Sequence, residues 1–234
     1  MISENYAQVV KRIDAVAGSA GRDPKDIILV AVTKNSGIKA IFEALDSGIR
    51  HIGESKVQEA LSKFDLVNDY AVKNNFKVAW HMIGHLQTNK AKEAVKIFDL
   101  IHSVDSMRLA EELDKQADSA RKIQDVLIEI KTSQEETKYG FLPHEFLATI
   151  SRLASLKNLN IKGLMTIAPW YDSPEKARPY FKKLKDLSDA IFVHRPSSIV
   201  HRPVLSMGMT DDFETAISEG STMVRIGRAI FGER

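Results

Sequence analysis

The chain is predicted to be an α/β protein, a single (β/α)8 barrel of the TIM type with an extra N-terminal helix. Three observations carry that expectation. Eight short apolar or β-branched runs recur along 234 residues. Segments with helical apolar spacing separate them, the order that builds a parallel sheet. Eight such units in this length favour a closed barrel over an open doubly wound sheet. No G-x-G-x-x-G or Walker A stretch follows a run, so nucleotide-binding open sheets lose support.

The elements follow in order. Ile2, Tyr6, Val9, Val10, Ile13, Val16 and Ala17 recur at helical spacing, and Gly18 and Gly21 stop that helix. Pro24 opens a new stretch. Strands are expected at 27–33, 50–53, 77–83, 100–104, 125–131, 161–167, 204–207 and 223–226. Helices are expected at 38–47, 56–74, 106–121, 144–156, 174–190 and 211–219. Asp211 reads as the cap of the last of these, with Glu214 as its capping-box partner. No linker divides the chain, so 1–234 is expected to form one domain. The longest irregular stretch holds a small duplication, His194-Arg195-Pro196 and His201-Arg202-Pro203, and reads as a surface loop.

Composition narrows the function classes. A hydrophobic fraction of 44% with 27% charged residues belongs to an ordinary globular protein. The absence of cysteine excludes a disulfide scaffold, an iron–sulfur cluster, Cys-ligated zinc and thiol catalysis. Lys and Arg (33) nearly balance Asp and Glu (31) and are well mixed with them, which gives no reason to propose nucleic acid or a membrane surface. No apolar run approaches the roughly 18 residues of a span. The N-terminus lacks the layout of a signal peptide, so a cytoplasmic location is expected.

In a barrel, sites lie where the strands end. The first run ends in Thr33-Lys34. A lysine there reads either as a snorkelling surface residue or as a partly desolvated amine able to form a Schiff base. The seventh run leads through Ser206 and Gly208 into a helix, and the eighth through Arg225 and Gly227 to Arg228. Loops after these two strands commonly hold a phosphate, where backbone N–H groups and helix dipoles favour an anion. Strand alternation puts Arg225 on the face of Gly227. Such an arginine needs an acceptor, either an internal carboxylate or a ligand atom. An aldehyde on Lys34, a phosphate on Ser206, Gly227 and the Arg228 backbone, and a ring nitrogen facing Arg225 together fit pyridoxal 5′-phosphate (PLP). An arginine cannot protonate that nitrogen, so the ring would be a weak electron sink. His81 and His85 sit four apart, but Gly84 breaks any metal motif and they read as packing or hydrogen-bonding groups. Lys131 reads as an ion-pair partner of Glu129, or as a second Schiff-base lysine. The 132–140 loop reads as surface, or as a cover for the mouth.

Six stretches then show a resemblance. They are Val30-Ala31-Val32-Thr33-Lys34, Gly53-Glu54-Ser55-Lys56-Val57-Gln58-Glu59, Trp80-His81-Met82-Ile83-Gly84-His85-Leu86-Gln87-Thr88-Asn89-Lys90, Gly163-Leu164-Met165-Thr166-Ile167, Leu205-Ser206-Met207-Gly208-Met209 and Val224-Arg225-Ile226-Gly227. In order and over nearly the whole chain, they resemble the pyridoxal phosphate homeostasis protein family. The resemblance implies a barrel similar to the N-terminal domain of alanine racemase, with PLP held on Lys34 and a role in vitamin B6 and amino-acid balance without a settled reaction. It adds Ser55 and Met165 to Lys34, Ser206, Gly208, Arg225, Gly227 and Arg228 as expected cofactor-binding residues. Ser55 replaces the usual Asn, Lys131 stands near another usual Asn, and Arg228 replaces the usual Thr. Apo PLP-dependent enzymes are the partners implied. The racemase's second, β-rich domain has no counterpart here, so a monomer is expected. A weak amino-acid racemase and a Schiff-base lysine aldolase are the alternative functions.

Overall fold

The structure, a computed structural model, describes residues 1–135, 138–192 and 203–233. Eight strands form one closed parallel barrel in chain order: β1 (Ile28–Val32), β2 (His51–Glu54), β3 (Ala79–Met82), β4 (Leu100–Val104), β5 (Gln124–Glu129), β6 (Leu159–Met165), β7 (Val204–Met209) and β8 (Met223–Ile226). β8 pairs back onto β1, with Val30 opposite Arg225. In such a ring β5 lies across from β1. The surrounding helices are α1 (Ile2–Ser19), α2 (Ile38–Asp46), α3 (Val57–Lys73), α4 (Ala91–Ile97), α5 (Met107–Ser119), α6 (Pro143–Leu153), α7 (Arg178–Phe192), α8 (Phe213–Ser218) and α9 (Arg228–Phe231).

Each helix buries one stripe against the sheet. In α1 the buried positions are Ile2, Val9, Ile13 and Ala17, and they pack the helix on α9, α8 and α2. It thereby covers a flank that the alternating β/α units leave open. The main core lies between strands and helices, around residues such as Trp80, Phe98, Phe146, Phe181 and Phe213. Fully burying each large side chain contributes about 2 kcal/mol. A second, smaller core plugs the barrel: Val30, Leu100, Leu127, Met165 and Met223. An interior of this width is filled by side chains and leaves no pore. The same inward positions carry polar groups higher up, and these make the site.

The differences from expectation are local. Helix α4 was not foreseen: seven residues give too few turns for a periodic stripe to show. β5 stops at Glu129 because the chain then bridges to Phe141, whose N–H donates to the Glu129 carbonyl and whose carbonyl accepts from Lys131 N. β6 stops at Met165, where the Thr166 hydroxyl turns to the Ile130 carbonyl and to Thr132 Oγ1. The cap of α8 is Asp212, not Asp211. Asp212 Oδ1 accepts from Met209 N, Asp211 pairs with Arg228, and Glu214 pairs with Arg12, so none is left for a capping box. The His-Arg-Pro duplication lies outside the described residues except for Pro203, as do Glu136 and Thr137 of the 132–140 loop.

Candidate cofactor site at the barrel mouth

Lys34 stands exposed in the turn after β1. The residues on either side of it are clamped. Lys63 of α3 is buried and its Nζ donates to the Thr33 carbonyl (2.9 Å), to Glu54 Oε1 (2.8 Å) and to Glu59 Oε1 (2.7 Å). The Thr33 hydroxyl donates to the same Glu54 oxygen at 2.7 Å. Glu59 also accepts from the amide of Asn35, which adopts φ +57. Burial raises the Glu54 carboxyl, against the pull of Lys63 and Thr33. Glu59 is also partly buried, but its bonds to Lys63 and to Asn35 N leave it below the usual range. The Glu54–Lys63–Glu59 group thus fixes the backbone before and after Lys34 and leaves the amine itself free to meet a ligand. Sequence reading passed over this clamp. Its one signal was a lysine at a core-facing helical position, four residues after Glu59.

Arg225 points into the barrel and is only 3% exposed. Its guanidinium donates to Ser206 Oγ (2.6 Å) and to the Thr166 carbonyl (2.9 Å). Burial lowers its pKa to about 10 against the opposing charges of Asp212 and Glu129, so it stays protonated at neutral pH. No carboxylate among the described residues forms an ion pair with it; the acceptors are a hydroxyl and a carbonyl. Ser206 is fully buried and also bonds His102 Nδ1 at 2.9 Å. His102 Nε2 lies 2.9 Å from His81 Nδ1, and His81 Nε2 lies 3.0 Å from His51 Nδ1. Burial drives the imidazolium of His81 down to about 3 and that of His102 well below its ordinary value. Both rings are neutral. They meet nitrogen to nitrogen in a line, which leaves no shared point for a metal ion.

The two glycines of the expected phosphate cup differ in kind. Gly208 adopts φ +93, and a Cβ there would lie 2.6 Å from Ala216 Cβ and 2.9 Å from Phe213 Cα. Packing of α8 therefore demands glycine at 208. Gly227 has φ −114, and its Cβ would meet only Val32 at an ordinary 3.4 Å. Nothing among the described residues demands glycine at 227. Arg228 follows it and pairs with Asp211, tying the β8 turn to the β7 turn. Thr210, in that β7 turn, is half-buried and makes no side-chain hydrogen bond to the described residues. Sequence reading gave this hydroxyl no role.

The remaining expected residues scatter around the mouth. Ser55 follows β2 and lines a cleft with Gln58, His85, Gln87 and Lys90. Met165 is in the apolar plug below the polar layer. Lys131, Glu129 and Lys138 line another recess together with Tyr139. Among the described residues no ion pair joins Lys131 to Glu129, because the chain leaves the strand between them. Burial pushes the Glu129 carboxyl up to about 7, with Asp105 adding to the rise and Arg225 opposing it. His85 bonds Asp105 at 3.0 Å and stacks on Tyr139, 3.6 Å between centroids.

Known proteins share this architecture. The family described as alanine racemase, N-terminal domain, matches residues 5–234. The pyridoxal phosphate homeostasis protein of Aquifex aeolicus is 40% identical over 231 residues, 99% of this chain and 97% of that one. Its Escherichia coli counterpart is 39% identical over 234 residues, 100% and 97% of the two chains. PipY of Synechococcus elongatus, solved with PLP bound, has a TM-score of 0.84 and 33% identity, covering 99% of this chain and 100% of that one. An alanine racemase of Clostridium difficile matches at TM-score 0.70 and 16% identity over 99% of this chain and 56% of that one, which speaks for the fold alone. The chain belongs to the alanine racemase N-terminal domain family, among the proteins named pyridoxal phosphate homeostasis protein.

Proposed function

We propose that this chain binds pyridoxal 5′-phosphate covalently on Lys34 and serves intracellular PLP and amino-acid homeostasis, without robust catalysis. The observation that carries the reading is a clamped turn holding one free lysine at the mouth of a barrel whose β8 end offers an arginine and an unforced glycine. The names of the relatives, and PipY with PLP bound, support it. The cofactor supplies an aldehyde that condenses with an amine. The chain's residues would do the rest. Glu54, Lys63 and Glu59 hold the Lys34 turn. Thr210, Ser206, Gly227 and the Arg228 backbone would take the phosphate, with Gly208 shaping the turn. The Arg225 cation would face the ring nitrogen without protonating it. Ser55 would border the ring, and Met165 would support it from the plug below. The protein acts as a cytoplasmic monomer that delivers PLP to apo enzymes.

Borohydride reduction of the PLP-loaded protein followed by mass spectrometry tests the assignment. The label is expected on Lys34, and Lys34→Ala is expected to lose the visible absorbance band. A label on Lys131 would overturn it. A second reading, a weak amino-acid racemase, has one observation in its favour: Glu129, a carboxyl that titrates near neutrality, sits on the strand across from Lys34. Exchange of amino-acid α-protons in deuterated water, above a free-PLP control, distinguishes the two.

A further inference from the structure

The three histidines in the barrel form a line that ends on an acceptor of Arg225. His51 Nδ1 meets His81 Nε2, His81 Nδ1 meets His102 Nε2, and His102 Nδ1 meets Ser206 Oγ. The far end, His51, is half-buried and borders a cleft under α1 with Tyr6, Asp14 and Arg50. Burial holds all three rings neutral. A neutral imidazole carries one proton on two nitrogens, and a hydroxyl carries one proton. Each contact therefore has a direction, and each ring sets the next.

Ser206 sets the first. Its Oγ accepts from Arg225, because a guanidinium has donors only. Among the described residues, His102 Nδ1 is the one partner left to take the hydroxyl proton. Were His102 to donate instead, that proton would be stranded on a fully buried side chain. So His102 accepts at Nδ1 and carries its own proton on Nε2. That proton goes to His81 Nδ1, and the Nε2 proton of His81 goes to His51 Nδ1. His51 then holds its proton on Nε2, toward the cleft. Reversing any single link would set two buried lone pairs or two buried N–H groups face to face. Along the whole line, the lone pairs face Arg225 and the protons point away from it.

We propose that His102, backed by His81 and His51, is a positioning residue for Arg225, the oriented rings standing where an ion-paired carboxylate would otherwise stand. A carboxylate would neutralise the guanidinium and draw it aside. Neutral rings aligned this way polarise the Ser206 oxygen toward the cation and hold it while leaving its charge whole. The Ser206 proton stays inside the barrel, which narrows the phosphate donors to Thr210 and the backbone of the turns after β7 and β8. The inference rests on the reading that Arg225 faces the ring nitrogen of PLP.

Nitrogen-15 NMR of the histidine-labelled full-length protein, free and loaded with PLP, tests the direction of the line. His51, His81 and His102 are expected as Nε2–H rings in both states at pH 7. A proton on Nδ1 of His81 or His102 would overturn the proposal. The positioning role is read from two variants. His102→Leu removes the acceptor of the Ser206 proton, whereas His102→Asn restores one through Oδ1. His102→Leu is expected to bind PLP about tenfold more weakly, as for one weakened bond to a charged group. With nitrogen-15 PLP, the ring nitrogen is expected to take up a proton about tenfold more readily in His102→Leu, because the cation facing it is no longer held. His102→Asn is expected to return both quantities to within about threefold of the parent. A merely structural role would weaken binding and leave the ring nitrogen unmoved, and that result overturns the proposal. Should His102→Leu not fold, the histidine spectrum of the parent decides alone. A parent protein that shows no visible band with PLP overturns the cofactor reading beneath it instead.

Discussion

Replacing Lys63 with methionine isolates the clamp from the rest of the site. The stem of the side chain keeps its packing, and three hydrogen bonds from Nζ are lost. Glu54, fully buried, is left without its cation, whereas Glu59 is 21% exposed and regains water. Removing one partner of a buried ion pair costs about 3–5 kcal/mol. Partial hydration of Glu59 puts this case at the low end, about 3 kcal/mol. The pH dependence has a definite sign. The Glu54 pKa is already raised in the fold, so the folded state holds its proton more tightly than the unfolded chain does. Stability from such a group falls as pH rises. Without Lys63 the rise is larger, so the loss is greater at pH 8 than at pH 5. Urea unfolding at both values measures this, and the rate at which the PLP band appears measures the effect on Lys34. Glu54→Gln added to Lys63→Met is expected to restore most of the loss at pH 8. A change below about 0.5 kcal/mol, or an equal loss at both pH values with no rescue, would refute the argument, since ordinary surface substitutions do no more.

Gly208→Ala is expected to cost about 2–3 kcal/mol in thermal or urea unfolding, because a Cβ meets α8 on a left-handed backbone. Gly227→Ala is expected to leave stability within about 0.5 kcal/mol while weakening PLP binding in a fluorescence titration, since protein packing tolerates the methyl. Glu129→Gln is expected to be more stable than the parent at pH 8 and to lose its stability slope between pH 5 and 7. A carboxyl raised to about 7 binds a proton in the fold before the unfolded chain does, and above that pH its charge costs roughly 3 kcal/mol or less. Sedimentation is expected to show a monomer; a stable dimer at micromolar concentration would contradict that.

The barrel was legible because its pattern repeats. Eight apolar runs with helices between them leave few alternatives, and an error of two residues at any strand end does not alter the count. The layout of the mouth was partly legible because strand ends are easily placed in this fold: the positions of Lys34 and Gly227 just past β1 and β8, and of Arg225 within β8, could be read from the strand pattern. What lay hidden depends on distance in three dimensions. Lys63 is 30 residues from Thr33 and reaches its carbonyl only because α3 returns along β1 and β2. His51, His81 and His102 lie on successive strands, so their alignment is a matter of register that the sequence does not display. Gly208 and Gly227 look alike in sequence; only the neighbours of an absent methyl separate a packing glycine from one that leaves room.

The same inventory argues about catalysis. Moving a proton from one face of an amino acid to the other needs a group on each face and a ring that accepts electrons in between. Lys34 is the group proposed for one face; Glu129, its carboxyl pushed up to about 7 by burial, ends the strand across the barrel. On the proposed reading, the electron sink is the part that is missing. Arg225 stays charged, is buried, and has its two outer nitrogens committed to Ser206 and Thr166, so it cannot give up a proton to a ring nitrogen. The histidines behind it are neutral and offer no proton either. On the proposed reading such a mouth would hold the phosphate and activate the ring poorly, which is the balance a carrier requires. Any α-proton exchange it shows is therefore expected to be slow, to depend on Glu129, and to vanish in Glu129→Gln while the visible band stays.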